Sequence, residues 1–283
     1  MQKRHTIDGS GDDPLARMPN PGDASRLVAE LHHGATVDVT VVVGIRDAHP
    51  LHENGLPFAH AWGRRAELSL MLWHPLLPAL SLGRLDIRDR RSIELATLAR
   101  EAGATVVRRL AGGRAATLDA GCLCLGWAQP QARLESSSVR YQLAADVIIG
   151  ALREMGIEGS LGEAPGEWCP GAWSVQGPGG KLAGLAQRQI GGAAWCEALI
   201  VIERPPALQL LSQRVHELLD IPWREDAQGE LARVLPGDPD PHARLSDAIV
   251  RALRREWPAL EECALPVVVH DRALRLSADH RWP

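Results

Sequence analysis

The chain has 283 residues, and 45% of them are hydrophobic, which suffices for one large or two small domains. A formal net charge of -4, with no concentrated basic segment, gives no reason to expect nucleic acid or an anionic membrane as a partner. The N-terminal segment lacks the apolar core of a secretory signal, and no window is long enough to span a membrane, so we expect a cytoplasmic protein.

Residues 1–23 are rich in Asp, Gly and Pro and show no apolar period. We expect a disordered tail over residues 1–30, followed by one domain over residues 31–283 whose part from about residue 205 is helical. The alternating or β-branched runs predict strands. In chain order these runs are TVDVTVVVG, AELSLMLW, LPALSLG, TVVRRL, CLCLGW, AWSVQ and ALIVIE.

Helical spacing appears in SIELATLAREAG and SVRYQLAADVIIGALREMG, which end at Gly103 and Gly156, and again in ALQLLSQRVHELL and RLSDAIVRALRREW. A short strand, PVVVH, is predicted near the end of the chain. Clustered strands with intervening helices and no strict βα alternation predict an α+β fold, with mixed or antiparallel sheets and packed helices.

The segment EWCPGAWSVQGPGGKLAGLAQRQ, residues 167–189, carries the most chemical information. Glycines such as Gly180 allow a tight turn and a close approach to a ligand. Lys181 then begins a mostly apolar run, where an ammonium could hold an acyl carbonyl or a phosphate, or lower the pKa of a nearby thiol. A hairpin loop with a solvated lysine explains the composition equally well. A P-loop is excluded, because Val175 replaces its first glycine and Leu182 follows the lysine.

A second segment, VRRLAGGRAATLDAGCLCLGW, covers residues 107–127. Its paired glycines, Gly112 and Gly113, follow Arg109 and could present backbone N–H groups to an anionic or carbonyl ligand. A tight turn inside a β-meander is the simpler explanation of this segment alone.

Together the two segments resemble the lipoate–protein ligase A and octanoyltransferase superfamily. The matching patterns are Arg-Arg-x-x-Gly-Gly-x-Ala, Asp-x-Gly-x-Leu and, some sixty residues later, Gly-Lys-x-Ala-Gly-x-Ala-Gln-Arg. The resemblance implies a fold similar to the biotin–protein ligase and lipoate–protein ligase catalytic domain. It also implies that Arg109, Gly112 and Gly113 lie against the acyl ligand, that Lys181 touches its carbonyl, and that the strand of Gly180 and Gly184 lines an acyl tunnel.

Two departures bear on the mechanism. Arg114 and Leu118-Asp119 stand where ATP-using ligases of the family carry a third glycine and a His-Asp pair, and Trp168-Cys169-Pro170-Gly171 precedes the lysine. The Cys-Pro-Gly element is similar to the cysteine-dependent octanoyl-[glycine cleavage H protein]:protein N-octanoyltransferase branch. This resemblance implies an octanoyl or lipoyl transferase with a Cys169 thioester, no cofactor, and lipoyl domains of 2-oxoacid dehydrogenase E2 and the glycine cleavage H protein as partners.

Chemistry supports a thiol nucleophile, because a thioester divides the cleavage of an amide into two easier steps. An ordinary thiol is a few per cent ionised at neutral pH, so it needs a positive neighbour, and Lys181 is the lysine nearest in sequence. We therefore expect Cys169 to attack the acyl group and Lys181 to stabilise the thiolate and the oxyanion.

The remaining candidates have simpler explanations. Cys122 and Cys124 alternate with leucines and are expected to pack as small hydrophobic residues, and Cys196 is a weaker catalytic candidate. His216 and the other histidines lack zinc-binding spacing, so no metal site is expected. Two alternatives stay open: an ATP- and magnesium-dependent lipoate–protein ligase, in which Cys169 is incidental, and a non-catalytic relative that binds carrier domains or acyl groups.

Overall fold

An eight-stranded mixed sheet forms one layer of the fold in the computed structural model. The model describes residues 39–45, 68–75, 77–109, 111–130, 137–190, 193–258 and 260–263. The strand order is β11-β1-β2-β6-β10-β9-β8-β7. The strands are β1 (Val39–Ile45), β2 (Leu68–Trp73), β6 (Cys122–Pro130), β7 (Ser160–Leu161), β8 (Ser174–Gly177), β9 (Gly180–Ile190), β10 (Ala193–Val201) and β11 (Glu261–Cys263).

A three-stranded sheet of order β4-β3-β5 forms a second layer. Its strands are β3 (Ala79–Leu82), β4 (Thr105–Arg108) and β5 (Ala116–Leu118). In the larger sheet β1 runs parallel to β2 and β11, whereas β2, β6, β10, β9, β8 and β7 pair antiparallel with one another. Side chains alternate across an antiparallel strand, so each strand of the larger sheet presents one set of residues to each face.

The helices cover these sheets in two groups. They are α1 (Arg84–Ile87), α2 (Ser92–Glu101), α3 (Ser137–Glu154), α4 (Pro206–Leu218), α5 (Leu231–Val234) and α6 (Pro241–Glu256), with a 3₁₀ turn at Glu225–Ala227. The apolar sides of α3 and α6 pack with β2, β6 and β10 in the main core, and α2 and α4 pack with β3 and β4 in a second core. Between the sheets, Ala79, Leu118, Cys122 and Val201 form a small apolar contact.

The α+β prediction is confirmed, and each strand or helix predicted within the described residues overlaps an element of its own type. Sequence periodicity misses four strands, β5, β7, β9 and β11, and the short helices α1 and α5. The predicted tail and the strand PVVVH lie outside the described residues, and the predicted domain boundaries stay predictions. In the described part of the chain, no helix has the length and apolarity needed to cross a membrane.

Candidate active site

A cavity of about 190 Å³ lies where the two sheets face each other. Its walls are mostly apolar and include three tryptophans, of which Trp173 stacks on Tyr141 with ring centroids 4.8 Å apart. Residues of β3, β5, β6, β8, β9 and β10 contribute to the lining, together with the loop before β8. The lining includes Trp73, Arg109, Gly113, Cys124, Trp168, Cys169, Lys181, Gly184, Glu197 and Leu199.

Cys169 lies in the loop before β8 in a left-handed backbone conformation, with φ 41°. This region is rare for residues other than glycine and costs about 1–3 kcal/mol, and the following Pro170 restricts the conformation further. The side chain is half-buried and lines the cavity. Its Sγ donates to the carbonyl oxygen of Arg114 at 3.1 Å, and Arg109 Nη2 lies 3.6 Å from Sγ. The loop therefore presents a thiol to the cavity beside a guanidinium.

Glu167 is fully buried and organises this loop. Its Oε2 accepts hydrogen bonds from the backbone N–H of Ala164 at 2.9 Å and from Gln176 Nε2 at 2.6 Å. Its Oε1 accepts from the N–H of Gly171 at 3.3 Å and from Ser174 Oγ. Sequence reasoning assigned this residue no role, although it directly precedes Trp168-Cys169, because its five partners become neighbours only when the loop and strands β8 and β9 fold around it.

Lys181 is the second residue of β9, and its side chain is 1% exposed. Its ammonium forms an ion pair with Glu167 Oε1 at 3.1 Å and donates to the carbonyl oxygens of Trp168 and Cys169, each at 2.8 Å. An ammonium has three donors, and all three are engaged. Burial lowers the pKa of Lys181, and the neighbouring Glu167 and Cys169 side chains oppose that change. A contact with an acyl oxyanion therefore requires the ammonium to release one of these partners.

Gly113, the second of the paired glycines, lies against the Cys169 thiol. Gly113 has φ 90°, and a Cβ there would come within 3.2 Å of Cys169 Sγ and 2.8 Å of Arg109 Nη2. The guanidinium of Arg109 is held by the carbonyl oxygens of Gly112, at 3.0 Å, and Arg114. Glycine at position 113 therefore allows the Arg109 loop to reach the thiol, which joins the two sequence motifs.

A buried carboxylate supports this loop from the other side. Asp86, fully buried in α1, accepts from the N–H of Gly83 at 3.3 Å and forms an ion pair with Arg114 at 3.1 Å. A Cβ on Gly83 would lie 2.0 Å from the carbonyl oxygen of Gly113. Burial raises the pKa of Asp86, and Arg114 and Arg109 oppose the rise.

His216 and Gln228 fix the backbone of the Cys169 loop. His216 Nδ1 lies 2.8 Å from the carbonyl oxygen of Ser212, which can only accept, so this nitrogen carries the proton. His216 Nε2 is then free to accept from the N–H of Cys169 at 3.3 Å. Gln228 Oε1 accepts from the N–H of Trp168 at 3.1 Å. Both residues lie in the chain after α4 begins, and sequence reasoning considered His216 only as a metal ligand.

The other predicted residues are placed as follows. Gly184 touches the site, since a Cβ there would lie 3.0 Å from the Trp168 ring and 3.1 Å from Lys181 Cε. Gly180 has φ 114° and packs against the backbone of Ala227 instead of the cavity. Gly112 is exposed, with open space around its α-carbon.

The other described thiols differ from Cys169 in their burial. Cys122, Cys124 and Cys196 are buried, and burial raises the pKa of Cys122 to about 11 and the pKa of Cys124 and Cys196 further. A buried thiol that resists ionisation is a poor nucleophile. Cys169 is thus the described thiol best placed for chemistry in the cavity.

The chain belongs to the lipoyl protein ligase A/B catalytic domain family, whose model matches residues 58–206, just over half of the chain. It is 27% identical over 139 residues to an octanoyl-[GcvH]:protein N-octanoyltransferase of Geobacillus kaustophilus, covering 48% of this chain and 49% of the relative. It is 32% identical over 194 residues to the protein of the same description in Anoxybacillus flavithermus, covering 68% of this chain and 54% of the relative. The chain spans about half the length of these curated relatives.

Solved structures confirm the fold. Lipoate-protein ligase A bound with ATP superposes with a TM-score of 0.63 at 14% identity, covering 86% of this chain and 95% of that one. A bi-partite lipoate protein ligase from Thermoplasma acidophilum, studied with its E2 lipoyl domain, gives a TM-score of 0.61 at 13% identity, covering 86% and 93%. At such low sequence identity, this likeness shows the fold alone.

Proposed function

We propose that this protein is an acyltransferase that moves an octanoyl or lipoyl group from one carrier lysine to another through a thioester on Cys169. The observation that carries the proposal is a thiol in an apolar cavity, with the Arg109 guanidinium 3.6 Å from its Sγ. A cation beside a thiol favours the thiolate, which is the reactive form. The names of the relatives describe octanoyl transfer from octanoyl-GcvH to a protein, which fits this chemistry.

The reaction balances as two acyl exchanges. The Cys169 thiolate attacks the carbonyl carbon of the donor amide, the C–N bond breaks, and the leaving amine takes the proton that the thiol released. The amine of the acceptor lysine then attacks the thioester, forms a new amide, and returns the proton to the thiol. One amide replaces another, so the overall transfer needs no ATP.

The described residues divide this work. The apolar cavity holds the acyl chain, and each buried methylene contributes about 0.8 kcal/mol of binding free energy. Arg109 places positive charge at the sulfur. The ammonium of Lys181, 2.8 Å from the Cys169 carbonyl oxygen, adds positive charge behind the nucleophile. We infer that lipoyl domains of E2 subunits and the glycine cleavage H protein are the carriers. The structurally similar ligase of Thermoplasma acidophilum was studied with its E2 lipoyl domain, and the names of the octanoyltransferases contain GcvH.

The test is intact-mass analysis of the protein and of a lipoyl domain, with one of two donors. The first donor is octanoylated H protein without ATP, and the second is free octanoate with ATP and magnesium. We expect a hydroxylamine-sensitive octanoyl adduct on the protein and transfer from the first donor. Both should be lost in Cys169→Ala and retained in Cys122→Ala, which removes a buried thiol outside the cavity. Acylation with the ATP-containing mixture alone, unaffected by Cys169→Ala, would instead establish a lipoate–protein ligase.

A further inference from the structure

The cavity contains a carboxyl group for which the proposed transfer has no use. Along β10, Cys196, Ala198 and Ile200 pack into the main core, whereas Leu199 and Glu197 belong to the opposite face and line the cavity. Among the described lining residues Glu197 is the one with a carboxyl side chain. An acid therefore occupies a wall position where an apolar acyl chain favours a residue such as leucine.

Strand register places this carboxyl away from the nucleophile end of the cavity. Leu199 pairs with Gly184, the residue whose α-carbon lies against the Lys181 side chain. Glu197 pairs with Ala186, two residues further along β9. At about 3.3 Å per residue this is a shift of about 7 Å. An extended eight-carbon chain reaches roughly 9 Å with C–C bonds near 1.5 Å. Its distal carbons therefore come to the level of Glu197.

Trp195 holds one oxygen of the Glu197 carboxyl. A Cβ on Gly126, which pairs with Glu197, would lie 2.5 Å from Trp195 Cη2, so the indole lies directly over that glycine. Trp195 Nε1 donates to Glu197 Oε2 at 2.8 Å. Within the described residues, Oε1 has no hydrogen-bond partner. The cavity wall at Glu197 thus carries one carboxyl oxygen held by Trp195 and one that is available to a ligand.

The Glu197 carboxyl can form a hydrogen bond with a polar atom in either of its protonation states. Burial raises the pKa of Glu197, while Arg109 and the bond from Trp195 oppose the rise. A protonated carboxyl donates an O–H, and an ionised one accepts. An acyl chain that ends in a methyl group leaves this oxygen desolvated and unpaired, which costs about 1–3 kcal/mol.

We propose that Glu197 is a specificity-determining residue, which selects a medium-chain acyl group with a hydrogen-bonding oxygen or sulfur near its distal end over plain octanoyl. The lipoyl chain, in its dithiolane or dithiol form, belongs to this class. The inference rests on the proposed acyl transfer, because it concerns the acyl group that reaches Cys169.

The experiment compares octanoyl, 8-hydroxyoctanoyl and dihydrolipoyl groups on the same carrier protein. Single-turnover acylation of Cys169 is followed by intact mass, in wild type, Glu197→Leu and Glu197→Gln. The matched control is Glu203→Gln, at an exposed acid outside the cavity. We expect wild type and the control to favour the two heteroatom chains by roughly 10-fold, the size expected when a site's polar group is left unpaired. The amide variant should keep the preference, and the leucine variant should favour octanoyl.

Two results would overturn the inference, and they are distinguishable. If wild type acylates with octanoyl as fast as with the heteroatom chains, or if Glu197→Leu keeps the wild-type preference, the specificity assignment fails and the transferase stands. If none of the three groups is transferred to Cys169, the proposed function fails and the inference with it. The absence of a preference in wild type refutes the inference without any variant, so poor folding of the leucine variant does not remove the test.

Discussion

Replacing Glu167 by glutamine should destabilise the protein strongly, because it leaves the Lys181 ammonium buried without its counter-ion. The two groups are 3.1 Å apart and are 0% and 1% exposed. Removing one partner of a buried ion pair costs about 3–5 kcal/mol. Two carbonyl oxygens still accept from the ammonium, at 2.8 Å each, so we expect the lower end, about 3 kcal/mol. For a domain of this size that corresponds to a fall in Tm of about 6–12 °C.

The measurement is urea denaturation of wild type, Glu167→Gln, Lys181→Met and the double variant. Because each single change leaves the other group unpaired, the double variant should cost less than the sum of the two by about 0.5–3 kcal/mol. Glu154→Gln is the control, since this carboxylate is 29% exposed and pairs with the exposed Arg255 at 2.9 Å. A surface pair of that kind contributes about 0–1 kcal/mol. A Glu167→Gln variant as stable as the Glu154 control would show that the buried pair does not organise the loop.

Two further predictions concern the geometry of the nucleophile. Gly113→Ala should lower the rate of Cys169 acylation at least 10-fold, because the new Cβ would meet Sγ at 3.2 Å. The control is Gly237→Ala, which has a similar φ of 89° and open space around it and should therefore lower only the stability of the protein. Single-turnover acylation measures the first effect, and urea midpoints measure the second. Burial lowers the pKa of His216 from 6.5, so the stability that its neutral ring supports is present above pH 6.5 and lost as the pH falls towards the lowered pKa. His216→Gln keeps an acceptor for the Cys169 N–H but does not titrate. In this variant, the stability and the thiol labelling rate should therefore fall less as the pH is lowered below 6.5. A pH profile identical to that of wild type would contradict the role of this ring.

Local sequence patterns were enough to predict the strands and helices whose apolar residues follow the period of a strand or a helix. The alternation in AELSLMLW and CLCLGW predicted β2 and β6, and the spacing in SIELATLAREAG predicted α2. It was not enough for β9, whose residues GKLAGLAQRQI are small and polar and are compatible with a loop. This segment is the longest described strand because β8 and β10 supply hydrogen-bond partners on both sides. Pairing between strands distant in sequence overrides a weak local preference.

In the candidate site too, some residues were predicted from the sequence and others were not. The family resemblance predicted Arg109, Gly113, Cys169 and Lys181 as site residues, and the structure places these four residues around one cavity. The sequence analysis gave Glu167 no role beside Lys181, although the fold brings its carboxylate to 3.1 Å from the ammonium across fourteen residues of chain. Sequence alone carries no signal for such a pair, because β8 must return the chain before the two groups can meet.

The segment after residue 206, outside the family match, is part of the site and not an appendage. The backbone of Cys169 is held at both ends: Lys181 Nζ bonds its carbonyl oxygen at 2.8 Å, and His216 Nε2, from α4, bonds its N–H at 3.3 Å. Gln228 bonds the N–H of the preceding Trp168. A left-handed conformation before a proline persists only if its surroundings impose it, and half of those surroundings come from this segment. The segment after residue 206 therefore helps to hold the shape of the Cys169 loop, while Arg109 and Lys181, which belong to the family motifs, place positive charge near its sulfur.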